Sequence, residues 1–164
     1  MKQTIPLTIA VLLMTIQLRA QEMNIEADTS AGCFSQEEIT IDSPMENVFR
    51  ILCDVNHWPE WQSSVTRAQI NGSPGPGVEF KWKAGGLKIN SKFHTVNAYS
   101  QIGWTGRIWW IEAVHNWYLI NEDNKTKVIV KESLNGFGSS LMRKSLIEGM
   151  KKNLLELKSR AEHI

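Results

Sequence analysis

His115 and Glu132 are the residues of this chain whose types and positions could carry chemistry. Residues 126–134 alternate, and Val128, Val130, Glu132 and Leu134 share one face. If the valines point into a core, Glu132 points there too. On the preceding apolar segment Ala113, His115, Trp117 and Leu119 share a face, which sets an imidazole among apolar side chains. A carboxylate facing a core has to be hydrogen-bonded, paired or neutral. Two titratable groups converging on one apolar hollow form an acid/base pair suited to proton transfer. The same pattern fits two satisfied structural groups, with His115 held by a backbone carbonyl and Glu132 paired with an arginine such as Arg107. The sequence leaves both readings open.

Other chemistries find no support. His57, His94, His115 and His163 have no metal-ligand spacing among themselves or with Cys33 and Cys53, so no metal is expected. There is no serine elbow, dinucleotide fingerprint or Walker loop, and hence no expected cofactor. The 164 residues carry 18 basic and 17 acidic side chains, a formal +1, spread along the chain. Such a balance gives no footprint for a phosphate backbone, which sets nucleic acid aside as a partner.

The elements that must position the pair follow from periodicity. Ile39 and Ile41 alternate in a short strand over 36–42. Ser43-Pro44-Met45-Glu46 then reads as a capping box with proline at the first helical position, and Val48, Phe49 and Leu52 form that helix's buried stripe. Trp58-Pro59 predicts a bend or a short helical turn, with Trp58 kept out of helical geometry. From Val78 the alternation is sharp: Val78, Phe80 and Trp82 face one way, Glu79, Lys81 and Lys83 the other. After Gly85-Gly86, Leu87, Ile89, Ser91 and Phe93 oppose a face that ends in His94, which is expected to meet water. Further strands cover 102–110, 111–120 and 126–134. Leu146, Met150, Leu154, Leu157 and Ala161 recur at helical spacing, so a long helix capped by Ser139 or Ser140 closes the chain. Gly149, beside that stripe, reads as room for a ligand or a close backbone contact.

A curved sheet needs a cover for its apolar face, and only the last helix is long enough. The hollow between them is expected to be lined by Phe80, Trp82, Phe93, Trp104, His115, Trp117 and Glu132, with Leu146 and Met150 from the helix. Trp58 and Trp61 are candidates to cap its entrance, with core packing the other use for them.

The elements in this order resemble the SRPBCC superfamily, the START-like or helix-grip fold, and within it the polyketide cyclase/dehydrase-like group. The resemblance is carried by Ile39-Thr40-Ile41-Asp42-Ser43-Pro44, Trp58-Pro59-Glu60-Trp61, Trp104-Thr105-Gly106-Arg107, the spaced His115, Trp117 and Leu119, Glu132-Ser133, and the helix ending Leu157-Lys158-Ser159-Arg160-Ala161-Glu162. It runs from about Glu38 to Ile164. It implies an α+β helix-grip fold: a curved antiparallel β-sheet wrapped around a long C-terminal α-helix, with two short helices between the first and second strands. Lipid carriers, binders of plant hormones and phenolics, and aromatase/cyclases belong to that superfamily. The expectation is a binding protein for a hydrophobic or aromatic small molecule, held between sheet and helix. The alternative is a cyclase- or dehydratase-like enzyme using Glu132 and His115 as acid and base.

The amino end has the layout of a secretory signal peptide. Lys2 precedes an apolar run over 4–16, and Leu18-Arg19-Ala20 ends it with a small residue. The run is short of the ~20 residues of a membrane span. Residues 1–20 therefore read as a leader, 21–35 as a linker and 36–164 as the domain. The expected location is the periplasm or the outside of the cell, with no stable membrane span after cleavage. An uncleaved anchor is the alternative, because Arg19 is unusual beside a cleavage site and Leu18 is larger than that site wants. Export would bring Cys33 and Cys53 into an oxidising compartment, where a disulfide between them is conceivable; the other reading is a small buried Cys53 and a free Cys33. The oligomeric state stays open. N-terminal sequencing of exported protein is expected to begin at or close to Gln21, and an intact Met1 in the membrane fraction would establish an anchor instead.

Overall fold

Alternation along the strands decides which side chains meet the helix. The structure, a computed structural model, describes residues 24–163; the expected leader and its junction at Gln21 lie outside the described residues. Seven strands form one antiparallel sheet: β1 (Cys33–Ile41), β2 (Val65–Ile70), β3 (Glu79–Ala84), β4 (Leu87–Asn97), β5 (Gln101–Ile108), β6 (Ile111–Glu122) and β7 (Lys125–Asn135). Their order is β1-β7-β6-β5-β4-β3-β2, so every pair is a hairpin except the one that brings β1 back beside β7. Helix α1 (Met45–Cys53) and a 3₁₀ turn over Val55–Glu60 lie between β1 and β2; a second 3₁₀ turn over Ser139–Met142 leads into α2 (Arg143–Glu162). This is the expected α+β helix-grip architecture.

The inward residues of the curved sheet meet α2 through Met150, Leu154, Leu157 and Ala161. Trp58 sits at the centre of that core. Its indole meets Phe80 and Trp82 edge-on at 5.5 and 5.6 Å, and its Nε1 donates to the Leu52 carbonyl at 3.1 Å. Edge-to-face contacts at these distances suit the ring quadrupoles, and the indole N–H is satisfied although buried. The carboxyl end of α2 is tied down by Lys158 Nζ donating to the Thr40 carbonyl at 2.7 Å and by Glu162 accepting from the Asp42 N–H at 2.7 Å.

Several expectations change at the level of local geometry. The Ser43 capping box does not form: Pro44 itself holds the cap position in extended geometry, with no side-chain cap bond. Ser43 is buried instead, and its carbonyl accepts from Thr126 Oγ1 at 2.6 Å. Trp58 is inside the 3₁₀ turn despite Pro59 after it; burial of its indole in the core outweighs the local preference that the proline imposes. Met142, without a side-chain cap bond, takes the place expected of Ser139 or Ser140 before α2. Gly149 makes no room for anything, since a Cβ there would meet open space; with Met150 inward, its neighbour turns to solvent. Cys33 and Cys53 are both free thiols.

The largest departure is on the outer face of the sheet. Residues 24–32, read as a linker, run along that face as a strap, and β1 begins at Cys33 rather than Gln36. Asn116 grips the strap's backbone on both sides: its Oδ1 accepts from the Ala27 N–H at 3.1 Å and its Nδ2 donates to the Ile25 carbonyl at 2.9 Å. Asn24 Oδ1 accepts from Thr95 Oγ1 and Gln101 Nε2, the Asp28 N–H donates to Ser133 Oγ, and the Tyr118 hydroxyl donates to Glu26. His94 takes the outer face as alternation requires, yet it is buried, because the strap covers it and the Ile25 N–H donates to its Nδ1 at 3.4 Å. Burial pushes its pKa down from 6.5 to about 4, against the opposing charge of Glu26.

The strap therefore needs a neutral His94 and a side-chain-free Gly103, whose Cβ would stand 2.5 Å from His94 Cε1. A lowered imidazole pKa means that the unfolded chain binds the proton more readily than the folded one. His94's contribution is complete above 6.5 and drains away as pH falls towards 4. Denaturation midpoints measured across that window should fall with pH, less so in His94→Gln. Gly103→Ala should cost about 1–3 kcal/mol.

Candidate functional site

The register of the central strands sets four residues in a row across the sheet. Trp104 on β5 pairs with His115 on β6, His115 with Glu132 on β7, and Glu132 with Ser35 on β1. Antiparallel partners point to the same face, so the imidazole and the carboxylate meet side by side. His115 Nδ1 lies 2.8 Å from Glu132 Oε2, and their side chains are 9% and 17% exposed. The Trp104 ring stacks on the imidazole with centroids 4.7 Å apart and planes 9° from parallel, and Trp117 leans on it at 5.4 Å. Stacking and hydrogen bond together leave the imidazole one orientation. With Glu132 ionised, Nδ1–H donates to the carboxylate and a neutral ring presents Nε2 as an acceptor. That Nε2 is buried and has no partner among the described residues.

A cavity of about 230 Å³ lies between this row and the first half of α2. Trp82, Ile89, Trp104, Ile108 and Ile111 form its sheet wall, and Met142 and Leu146 its helix wall. His115, Glu132, Ser91, Ser145 and Asn153 interrupt the apolar lining. Gly106 and Ala113, paired across β5 and β6, supply the space; a Cβ on Gly106 would stand 3.3 Å from Ser91 Oγ. The interior is thus not filled by its own side chains.

Of the residues expected to line a pocket, Trp82, Trp104, His115, Glu132 and Leu146 border the cavity. Phe80, Phe93, Trp117 and Met150 are at most 2% exposed and belong to the closed core. Trp61 stands elsewhere, in a surface cleft with Ile51, His57 and Arg160. The alternative pairing of Glu132 with Arg107 does not form: Arg107 points outward on β5 and faces Glu112 at 3.5 Å, both exposed. Alternation explains this, since Arg107 falls on the face opposite Trp104. Asn153 escaped notice, although it follows Leu146 by two helical turns and so continues the inward stripe. Ile108, Ile111 and Met142 carried no signal, because strand ends and a 3₁₀ turn have no period to read.

Residues 34–162 match the family described as polyketide cyclase / dehydrase and lipid transport, and the chain belongs to that family. No curated protein matches it by sequence. Among solved structures it is similar to a hypothetical protein of Helicobacter pylori, with 16% identity over 87% of this chain and 93% of that one and a TM-score of 0.73. A START superfamily protein of Mycobacterium smegmatis gives 12% identity over 79% and 97%, with a TM-score of 0.67. The Zhui aromatase/cyclase of Streptomyces sp. R1128 gives 14% over 79% and 93%, with a TM-score of 0.65. At these identities the likeness is one of fold. Among the described residues no helix is long and apolar enough to cross a membrane.

The His115–Glu132 bond is open to test by substitution. Glu132→Gln retains an acceptor for Nδ1–H and should cost about 1 kcal/mol. His115→Phe strands the carboxylate in an apolar wall and should cost about 3 kcal/mol. Adding Glu132→Leu should recover much of that loss, which chemical denaturation of the three variants would read.

Proposed function

We propose that this protein binds a small hydrophobic or aromatic molecule in the cavity between sheet and α2, with a polar group of the ligand against His115. One observation carries the reading: a buried imidazole nitrogen without a protein partner, on a residue that borders an apolar cavity. A buried polar atom left unpaired is costly, and a ligand hydroxyl or N–H relieves it. At about 230 Å³ the cavity is smaller than the ~300–1,000 Å³ that holds drug-sized ligands, so the ligand is of one or two rings rather than a long chain. The family's description, with its cyclases and lipid transport, supports a hydrophobic ligand in general. The apolar run over residues 4–16 ending at Ala20 supports export, to the periplasm or beyond.

The His115–Glu132 hydrogen bond favours a second reading, in which the cavity hosts acid/base chemistry. A carboxylate on Nδ1 holds the ring in the tautomer that lets Nε2 accept a proton from a bound substrate, and the developing imidazolium is stabilised by the same carboxylate. That reading also requires Nε2 to face the ligand atom that loses the proton.

Titration of the protein with 2-naphthol, followed by tryptophan emission, tests the site. A saturable change is expected, weakened about tenfold when 2-methoxynaphthalene removes the donor to Nε2. Ala113→Phe, which places a ring inside the cavity, should abolish it. No saturable change with either naphthalene, or full binding by Ala113→Phe, would sink the proposal.

A further inference from the structure

The end of the sheet that holds the β5–β6 turn carries apolar side chains that cover nothing. Trp109 and Trp110, in the β5–β6 turn, are 71% and 59% exposed; Phe137 and Leu141, between β7 and α2, are 89% and 88% exposed. They form one surface. The two indoles stack at 5.7 Å, and Trp110 Nε1 donates to the Phe137 carbonyl at 3.0 Å. Gly136, at φ +135, lets the second loop press so close that a Cβ there would stand 2.5 Å from the Trp110 carbonyl oxygen. Trp109 itself is held at φ +53, a conformation unfavourable for a bulky residue, while its ring packs against no core. Ile108, Ile111 and Met142, their chain neighbours, are cavity wall. The exposed tips therefore adjoin the cavity's wall along the chain.

The register sets a basic face beside these tips. Lys83 pairs with both Arg67 and Lys88, and Asn90 with Arg107, so the β3–β4 turn reaches the same end of the sheet as Trp109. Arg67, Lys81, Lys83, Lys88, Lys92 and Arg107 all point outward there and are exposed, against the acids Glu79 and Glu112. Wide grooves of about 730 and 530 Å³ run between them. Six cations against two acids leave this face basic in a chain whose formal net charge is only +1. Aromatic tips flanked by lysine and arginine match a bilayer surface, where indoles settle at headgroup depth and cations meet anionic lipid.

The geometry points to a membrane-docking surface: Trp109, Trp110, Phe137 and Leu141 enter the interface of an anionic lipid bilayer, and the cations at the same end of the outer face meet its headgroups. Docking does not depend on which ligand the cavity takes.

Purified full-length protein mixed with vesicles of phosphatidylcholine, with and without phosphatidylglycerol, tests this by co-sedimentation. Binding to the mixed vesicles is expected. Trp109→Ser with Trp110→Ser should weaken it about tenfold or more, as should Phe137→Ser with Leu141→Ser. Lys83→Glu with Lys88→Glu should weaken it by at least as much, and added salt should mimic this pair but not the aromatic ones. All these positions are exposed, so circular dichroism and the affinity for 2-naphthol should match the parent. The proposal is overturned if the parent ignores mixed vesicles, or if it binds them equally well in all three variants, which would assign the binding to the leading segment. It is overturned too if light scattering finds that the tryptophan pair dissolves a dimer that binds no vesicles, which would make a second copy the occupant. Vesicle binding as expected alongside a failed 2-naphthol titration would sink the cavity reading and leave the docking surface standing.

Discussion

One helix has to cover the inner face of seven strands, and where that helix is fastened decides the rest. α2 has 20 residues and is about 30 Å long. Its carboxyl end is bound to β1 through Lys158 and Glu162, and its middle to the segment before β2 through Glu156, which accepts from Ser63. Held there, the second half of the helix presses Leu154, Leu157 and Ala161 into the core, all but closed to solvent. Nearer its amino end, before Met150 enters the core, the helix borders a gap. Leu146 and Asn153 line that gap, and the gap is the cavity. It needs no special device, because a straight rod cannot follow a curved sheet along its whole length.

The polar row inside that gap is the second consequence. A histidine and a carboxylate on adjacent strands at paired positions have to meet, and apolar neighbours on both sides raise the value of their hydrogen bond. Trp104 closes one face of the imidazole. One nitrogen is thereby committed to the protein and the other is left over, which is the arrangement shared by a binding site for a polar group and a proton-transfer site.

What the sequence made legible was orientation. Period-two alternation placed Val128, Val130 and Glu132 on one face and Lys81 and Lys83 on another, as the structure has them. What stayed hidden was partnership. That Glu132 meets His115 rather than Arg107 depends on the β6–β7 register, which turn lengths set and alternation does not. His94 has the expected face but not the expected exposure, because its cover is an aperiodic strap of small and polar residues. The tryptophans misled for a related reason. An inward indole is core or cavity wall according to how far away the helix lies, so Trp117 and Trp104, on the same face of neighbouring strands, took different roles.

The return of β1 to the side of β7 has a consequence for how the molecule comes into being. Cys33 meets Leu134 and Ile41 meets Thr126, so the first strand made waits for the last before it has a neighbour. Until β7 exists, β1 offers an unsatisfied edge and the hairpins from β2 to β6 present an uncovered apolar face. Contacts so distant along the chain slow folding, because loop closure must precede the bonds that reward it. A chain synthesised from its amino end therefore passes most of its elongation in an unclosed state, open to chaperones, and becomes this fold only once its final helix is free.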